Sequence, residues 1–354
     1  MNYDNFDPFG ESGGNEEIFF DFAPAVDVKK EKRNFSRLGF GLAFLMLTVF
    51  VTATIVELTV YYISPEFYFS VLFRNLLSPV CIYGFGLPVA WVFFRKMEAH
   101  APEKRPMSVK EWLVIFVICI GAMYLGANVG NKVLDIIAQA FGGYQYSNPV
   151  ESLIDNGSLW ITAIFMVVVA PIGEELLFRK LIIDRTYKYG SVVSILISAL
   201  LFGLMHGNFS QFFYAFAIGI VLGYVYYNTG NVYLTIALHA SVNFIGSVLT
   251  SLLQMGLQDY LTELGKATND AEAFAAMASH LGAVVTVMGY NLLVNLSMVF
   301  AILLPIIFRK RIVIQRGETM LPKGKGFAIS LCNAGMITAI AIFSVEFILS
   351  IIPY

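Results

Sequence analysis

Charge is what this sequence has least of. Only 14% of its 354 residues are Asp, Glu, Lys or Arg, and the formal net charge is -2, whereas a soluble domain carries about 25%. Nothing in so sparse and balanced a charge set suggests a nucleic-acid partner. Cysteine is equally scarce. Cys81, Cys119 and Cys332 stand singly in apolar runs, which excludes a disulfide framework and a cysteine-ligated metal and leaves them as packing residues. The first 28 residues hold no Lys or Arg, so a removable signal peptide with a basic head is not expected. HExxH is missing, which rules out a zinc protease site on a single helix. Alternating ten-residue strands are missing too, which argues against an outer-membrane barrel.

What remains is hydrophobic. Apolar residues make up 57% of the chain and mean hydropathy is +0.70. A bilayer core of roughly 30 Å needs about 20 apolar residues per helix. Runs of that kind fall near 38–63, 70–94, 111–130, 159–187, 190–206, 211–227, 232–254, 282–308 and 326–352. The expected fold is all-α: a polytopic transmembrane helical bundle of eight or nine spans, with an active-site cavity inside it. Residues 1–37 read as a disordered acidic and aromatic tail ending in a basic cluster, and 38–354 as one membrane domain. Val133, Leu134, Ile136, Ile137 and Phe141 share a face expected of a separate interfacial helix, and 255–281 reads as another short surface helix. Twenty of the 23 basic residues fall in the tail and in loops 95–110, 179–189 and 309–325. That asymmetry places those segments together on the cytoplasmic side, N-terminus included. The localisation implied is a multi-pass cell membrane protein of the bacterial inner membrane type, in contact with the lipid bilayer.

Three polar clusters interrupt the apolar runs. Glu174 and Glu175 are followed by Arg179, Phe202 by His206, and His239 by Asn243. An acid or base at the centre of a membrane helix costs about 2.5–3.5 kcal/mol on insertion scales, so such groups face the bundle interior and pair. Glu175 and Arg179 are i and i+4, as are His239 and Asn243, and each pair shares a helix face. Glu174 is turned about 100° from Glu175, so one carboxylate can pair with Arg179 while the other stays free. A carboxylate left free in a low-dielectric cavity is a stronger base than one in water. Helix rise puts Glu174 and His206 level, about 21–22 Å from their shared turn, but His239 only about 10 Å from its own. Asn291 and Asn295, also i and i+4, are expected to bond neighbouring helices. Glu346 lies deep in the last run without an evident partner.

In this order on successive apolar helices, EExxxR, FxxxH and HxxxN resemble the CAAX prenyl protease and bacteriocin-processing (CPBP, or Abi) family of intramembrane proteases. The resemblance covers about residues 150–250. It implies an intramembrane endopeptidase acting on a membrane-associated peptide or protein, with Glu174 activating water and His206 helping to hold that water or a metal. His239 and Asn243 would stabilise the oxyanion, and Glu175 and Arg179 would shape and charge-balance the site. Glu174, His206 and His239 also match the ligand types of a catalytic zinc, and both metal-assisted and metal-free mechanisms stay open. Without an organellar signal the chain looks bacterial, where prenylated CAAX proteins are not expected, so the implied substrate is an unrelated membrane-bound peptide. The rival reading is a non-catalytic bacteriocin-immunity, transport or scaffold protein that keeps buried Glu and His for packing or ion passage.

Overall fold

A computed structural model describes residues 26–140 and 159–351. The nine apolar runs become nine helices: α1 Val28–Ile63, α2 Val71–Phe94, α3 Val109–Ala140, α4 Leu159–Tyr189, α5 Ser191–Met205, α6 Phe209–Thr229, α7 Val232–Leu264, α8 Leu281–Ile307 and α9 Ala334–Ser350. Among the described residues, seven are long and apolar enough to cross a membrane; α5 and α9 are shorter, at 15 and 17 residues. At 1.5 Å per residue these two reach about 22 and 25 Å. Side-chain oxygens start several helices. Asp27 accepts from Lys30 N at 3.0 Å, Asn208 from Gln211 N at 3.0 Å, and Asn333 from Met336 N at 3.0 Å, each satisfying an N–H that has no partner within its helix.

The ends differ from expectation where no residue breaks the helix. α1 begins at Val28, inside the stretch read as tail. α3 runs on to Ala140, so Val133, Leu134, Ile136 and Ile137 continue it instead of forming a separate interfacial helix; Phe141 lies outside the described residues. No proline separates the two parts, and propagation costs less than a new nucleus. A short helix, Asp270–Ser279, does form in the acidic 255–281 stretch. Asn295 donates to Asn291 O at 2.7 Å within its own helix, not to a neighbour. The polar link there comes from Tyr290, which bonds Tyr124 and, at 2.9 Å, Thr250. Cys81 and Cys119 are buried as expected, but Cys332 is exposed.

α4 is surrounded by α2, α5, α6 and α7, while α1 packs against α2 and α9. One core joins Leu38 and Leu42 of α1 to Phe94, Leu177, Phe178, Leu201, Phe202 and Phe343; a second joins Cys119 and Met123 of α3 to Ile218, Leu222, Leu238 and Val242. α8 is mostly exposed and apolar, as a lipid-facing helix should be. Glu31 pairs with Lys188 at 3.0 Å, Arg185 Nε donates to Phe94 O at 2.8 Å, Thr319 N to Lys188 O at 2.9 Å, and Arg105 N to Thr229 O at 2.9 Å. The start of α1, the loops after α2 and α8, and the α4–α5 and α6–α7 turns therefore share one end of the bundle, as the basic residues indicate. The last of these bonds also explains the depth of His239. The loop after α2 covers the α6–α7 turn, so that turn is recessed.

If this shared end is one side of the membrane, cysteines introduced as Lys96→Cys and Lys323→Cys, in a Cys332→Ser background, will react with an impermeant maleimide from the same side. Lys266→Cys will react from the other. Labelling of positions 96 and 323 from opposite sides would contradict the arrangement.

Candidate active site

The site begins with two charges that cannot be left alone. Glu175 and Arg179 on α4 are both fully buried, 0% exposed, and Arg179 Nε stands 3.0 Å from Glu175 Oε2 in charge contact. The guanidinium has further support. Nη1 donates to Ser198 Oγ at 3.1 Å, Ser198 Oγ donates to Phe178 O at 2.9 Å, and the charge lies 5.0 Å from the centre of the Phe202 ring. Nη2 has no hydrogen-bond partner among the described residues. Pro171 contributes no N–H to this helix, and the turns at Ile164–Val169 and Leu176–Ile183 widen to π geometry on either side of the glutamates. Another π segment, Phe244–Leu249, begins directly after Asn243. Turns of this kind commonly accompany functional sites.

His239 of α7 connects the two glutamates. Its Nδ1 is 3.0 Å from Glu175 Oε1. A carboxylate held ionised by Arg179 only accepts, so Nδ1 carries the proton and Nε2 presents a lone pair. That lone pair faces Glu174 Oε2 at 3.6 Å, too long for a good direct hydrogen bond but close enough for both atoms to hold one solvent molecule. Glu174 is the partly exposed member, with 23% of its side chain accessible. One glutamate is fixed and the other free, the division that the spacing suggests.

The aromatic residue of FxxxH is the hub between the imidazoles. Phe202 is buried, with His206 edge-on at 5.0 Å and His239 edge-on at 5.6 Å between ring centres. His206 caps α5, and its Nδ1 lies 2.8 Å from Phe202 O; a carbonyl only accepts, so the free lone pair is again on Nε2. Gly207 follows with φ +67, a left-handed turn in which a Cβ would stand 2.6 Å from Glu346 Oε2. The α9 acid thus packs against the turn beside His206. Asn243 Nδ2 donates to Met166 O at 2.8 Å, which ties α7 to α4 and leaves one amide hydrogen without a partner among the described residues.

Two contributors lie outside the motifs. Ser198 is one: Ser194, Ser198, Phe202 and His206 recur every four residues on α5, a polar stripe that a search for intrahelical periodicity finds. Tyr83 of α2 is the other. A Cβ on Gly173 would fall 2.0 Å from Tyr83 Cζ and 2.3 Å from its hydroxyl oxygen. The phenol therefore lies against bare backbone one residue before Glu174. No local pattern announces it, because the contact depends on how α2 crosses α4.

As placed, these side chains do not fit a three-ligand zinc centre. Glu174 and His239 face each other, but among the described residues no three His, Cys, Asp or Glu groups gather closely enough to hold a metal ion. The comparisons with known proteins bear on the same region. Residues 156–245, which include all seven motif residues, match the family described as Type II CAAX prenyl endopeptidase Rce1-like. The chain is 34% identical over 154 residues to the UPF0177 protein YxdF of Lactococcus lactis subsp. lactis (strain IL1403), covering 41% of this chain and 84% of that relative. No solved structure matches. The chain belongs to the CPBP family. At the family level this is a CAAX-type intramembrane protease, and the helices make it a multi-pass membrane protein.

Arg179→Met leaves Glu175 as an uncompensated buried charge and should cost about 3–5 kcal/mol of stability, measured by unfolding in detergent. Adding Glu175→Gln should recover part of that loss. Gly173→Ala forces Tyr83 away from the backbone beside Glu174. Turnover should fall while the unfolding midpoint shifts much less than for Arg179→Met.

Proposed function

We propose that this chain is an endopeptidase that hydrolyses a peptide bond of a membrane-associated substrate, with Glu174 as its base. The observation that carries this reading is the 3.6 Å gap between Glu174 Oε2 and His239 Nε2. A water in that gap donates one hydrogen to each acceptor, and its oxygen lone pair is left for attack. Glu174 takes the proton as the oxygen bonds to the scissile carbonyl carbon. The developing oxyanion accepts from the uncommitted amide hydrogen of Asn243. Collapse of the tetrahedral intermediate breaks the C–N bond, and Glu174 returns the proton to the leaving nitrogen. Glu175 holds the Nδ1 proton of His239, which fixes the tautomer, while Arg179 keeps Glu175 ionised; both are positioning residues. His206 offers Nε2 as a further acceptor on the other side of Phe202. No step is routed through a metal.

The substrate's membrane character fits a hollow beside the site. A concavity of about 330 Å³ is lined by Phe116, Val167, Ala240, Ser241, Phe244 and Ile245. Ala240 and Phe244 follow His239 and Asn243 on α7, one step of about 100° around the helix, and an apolar segment seated there is proposed to extend its peptide bond to those groups. The basic end of the bundle is proposed to face the cytoplasm, with the N-terminus on that side.

Reconstituted protein should cleave members of a membrane-peptide library, and Glu174→Gln should lower the rate about 10²–10⁴-fold, as expected for loss of a general base. Equal cleavage by both proteins would return the non-catalytic reading to the front. Activity should also survive chelation in a sample verified free of metal by elemental analysis. A stoichiometric zinc whose removal abolishes cleavage would mean that His206 swings in to complete a ligand set with Glu174 and His239.

A further inference from the structure

A second recess lies at the basic end of the bundle, apart from the glutamates. It has a volume of about 460 Å³ and is walled by the first turns of α1, by residues 96–98 after α2, and by Arg185 and Lys188 at the end of α4. Seven of its lining side chains are Lys or Arg and only two, Asp27 and Glu98, are acidic. Neither acid neutralises the recess: Asp27 spends an oxygen capping α1, and Glu98 is exposed with no ion pair among the described residues. The other nearby carboxylate, Glu31, is already shared by Lys188, Asn34 and Tyr189.

Arg185 is the residue that asks for a ligand. It is 5% exposed, yet no carboxylate stands at ion-pair distance among the described residues. Its hydrogen bonds go to carbonyls, Nε to Phe94 O at 2.8 Å and Nη1 to Leu181 O at 3.0 Å, and its charge lies 5.1 Å from the ring centre of Trp91. The neighbouring Asp184 is taken by Lys180 at 2.7 Å and by the Tyr226 hydroxyl at 2.7 Å. A buried, hydrogen-bonded but unneutralised guanidinium at the wall of an open basic recess is poised for an anion. The half-exposed Trp91 marks the level of lipid headgroups, where its amphipathic ring is at home.

We propose that this recess binds the phosphate-bearing headgroup of an anionic membrane lipid, with Arg185 as anchor and Lys30, Arg33 and Lys96 closing around the phosphodiester. The charge asymmetry of a membrane protein needs only dispersed surface cations. It does not need a concave cluster around a buried one. The inference is independent of the peptidase reading, since no residue of the recess belongs to the proposed catalytic set.

The full chain, purified in detergent, should be titrated with phosphatidylglycerol, phosphatidylcholine and inorganic phosphate, and bound lipid counted by native mass spectrometry. Phosphatidylglycerol should bind at one site, phosphatidylcholine should not, and inorganic phosphate should compete only weakly. The paired substitution Lys30→Gln with Arg33→Gln, both exposed, should weaken lipid binding about tenfold or more. Arg185→Gln should do the same at unchanged secondary structure. Lys323→Gln with Lys325→Gln removes the same charge from the same end outside the recess and should change little. Equal weakening by both pairs would reduce the effect to diffuse surface charge and overturn the site. Phosphate binding as tight as that of the lipid would overturn the lipid assignment.

Discussion

The arrangement of this protein turns on one buried contact, the charge pair of Glu175 and Arg179. Neither group can sit in a water-poor bundle alone, because desolvating a single charge costs far more than packing returns. Together they impose conditions on everything around them. Ser198 and Phe202 of α5 must lie beneath the guanidinium, and His239 of α7 must meet the remaining carboxylate oxygen. Three helices are thereby fixed in register around one charge pair. The adjacent Glu174 has no such obligation and is left partly open beside His239. A structural pair and a partly open carboxylate on consecutive residues are two results of the same 100° step around a helix.

Much of this is visible in the sequence because membrane burial makes polar residues conspicuous. In an apolar run each Glu, His or Asn requires a reason, and spacing of four residues states which of them share a face. The helices were legible on the same grounds, and so was the clustering of basic loops at one end. What escaped has a common physical origin. The length of α3 beyond Gly130 is set by the absence of a breaker, not by hydropathy. The depth of His239 depends on a loop more than a hundred residues earlier that covers the α6–α7 turn. Tyr83 reaches Gly173, and Glu346 reaches Gly207, through helix crossings that no local pattern encodes. Asn291 and Asn295 show the opposite failure, since their spacing suggests partners on other helices and they find none there among the described residues.

The two recesses divide the molecule chemically. Around the glutamates the positive charge is matched, and the hollow on α7 is apolar. At the basic end cations outnumber acids, and a buried guanidinium makes do with carbonyl oxygens. α4 runs through both, with Glu174 and Arg185 eleven residues apart on one helix, a separation of about 16 Å along its axis. That helix fixes the spacing between whatever occupies the basic recess and the proposed catalytic carboxylate.

The short helices α5 and α9 pack against each other. With reaches of about 22 and 25 Å against a hydrocarbon layer of roughly 30 Å, neither matches an undisturbed bilayer. In a bilayer, lipids bordering this edge would thin by several ångströms to match the shorter helices. Because α5 ends at His206, thinning on that side would bring the membrane surface toward the proposed site.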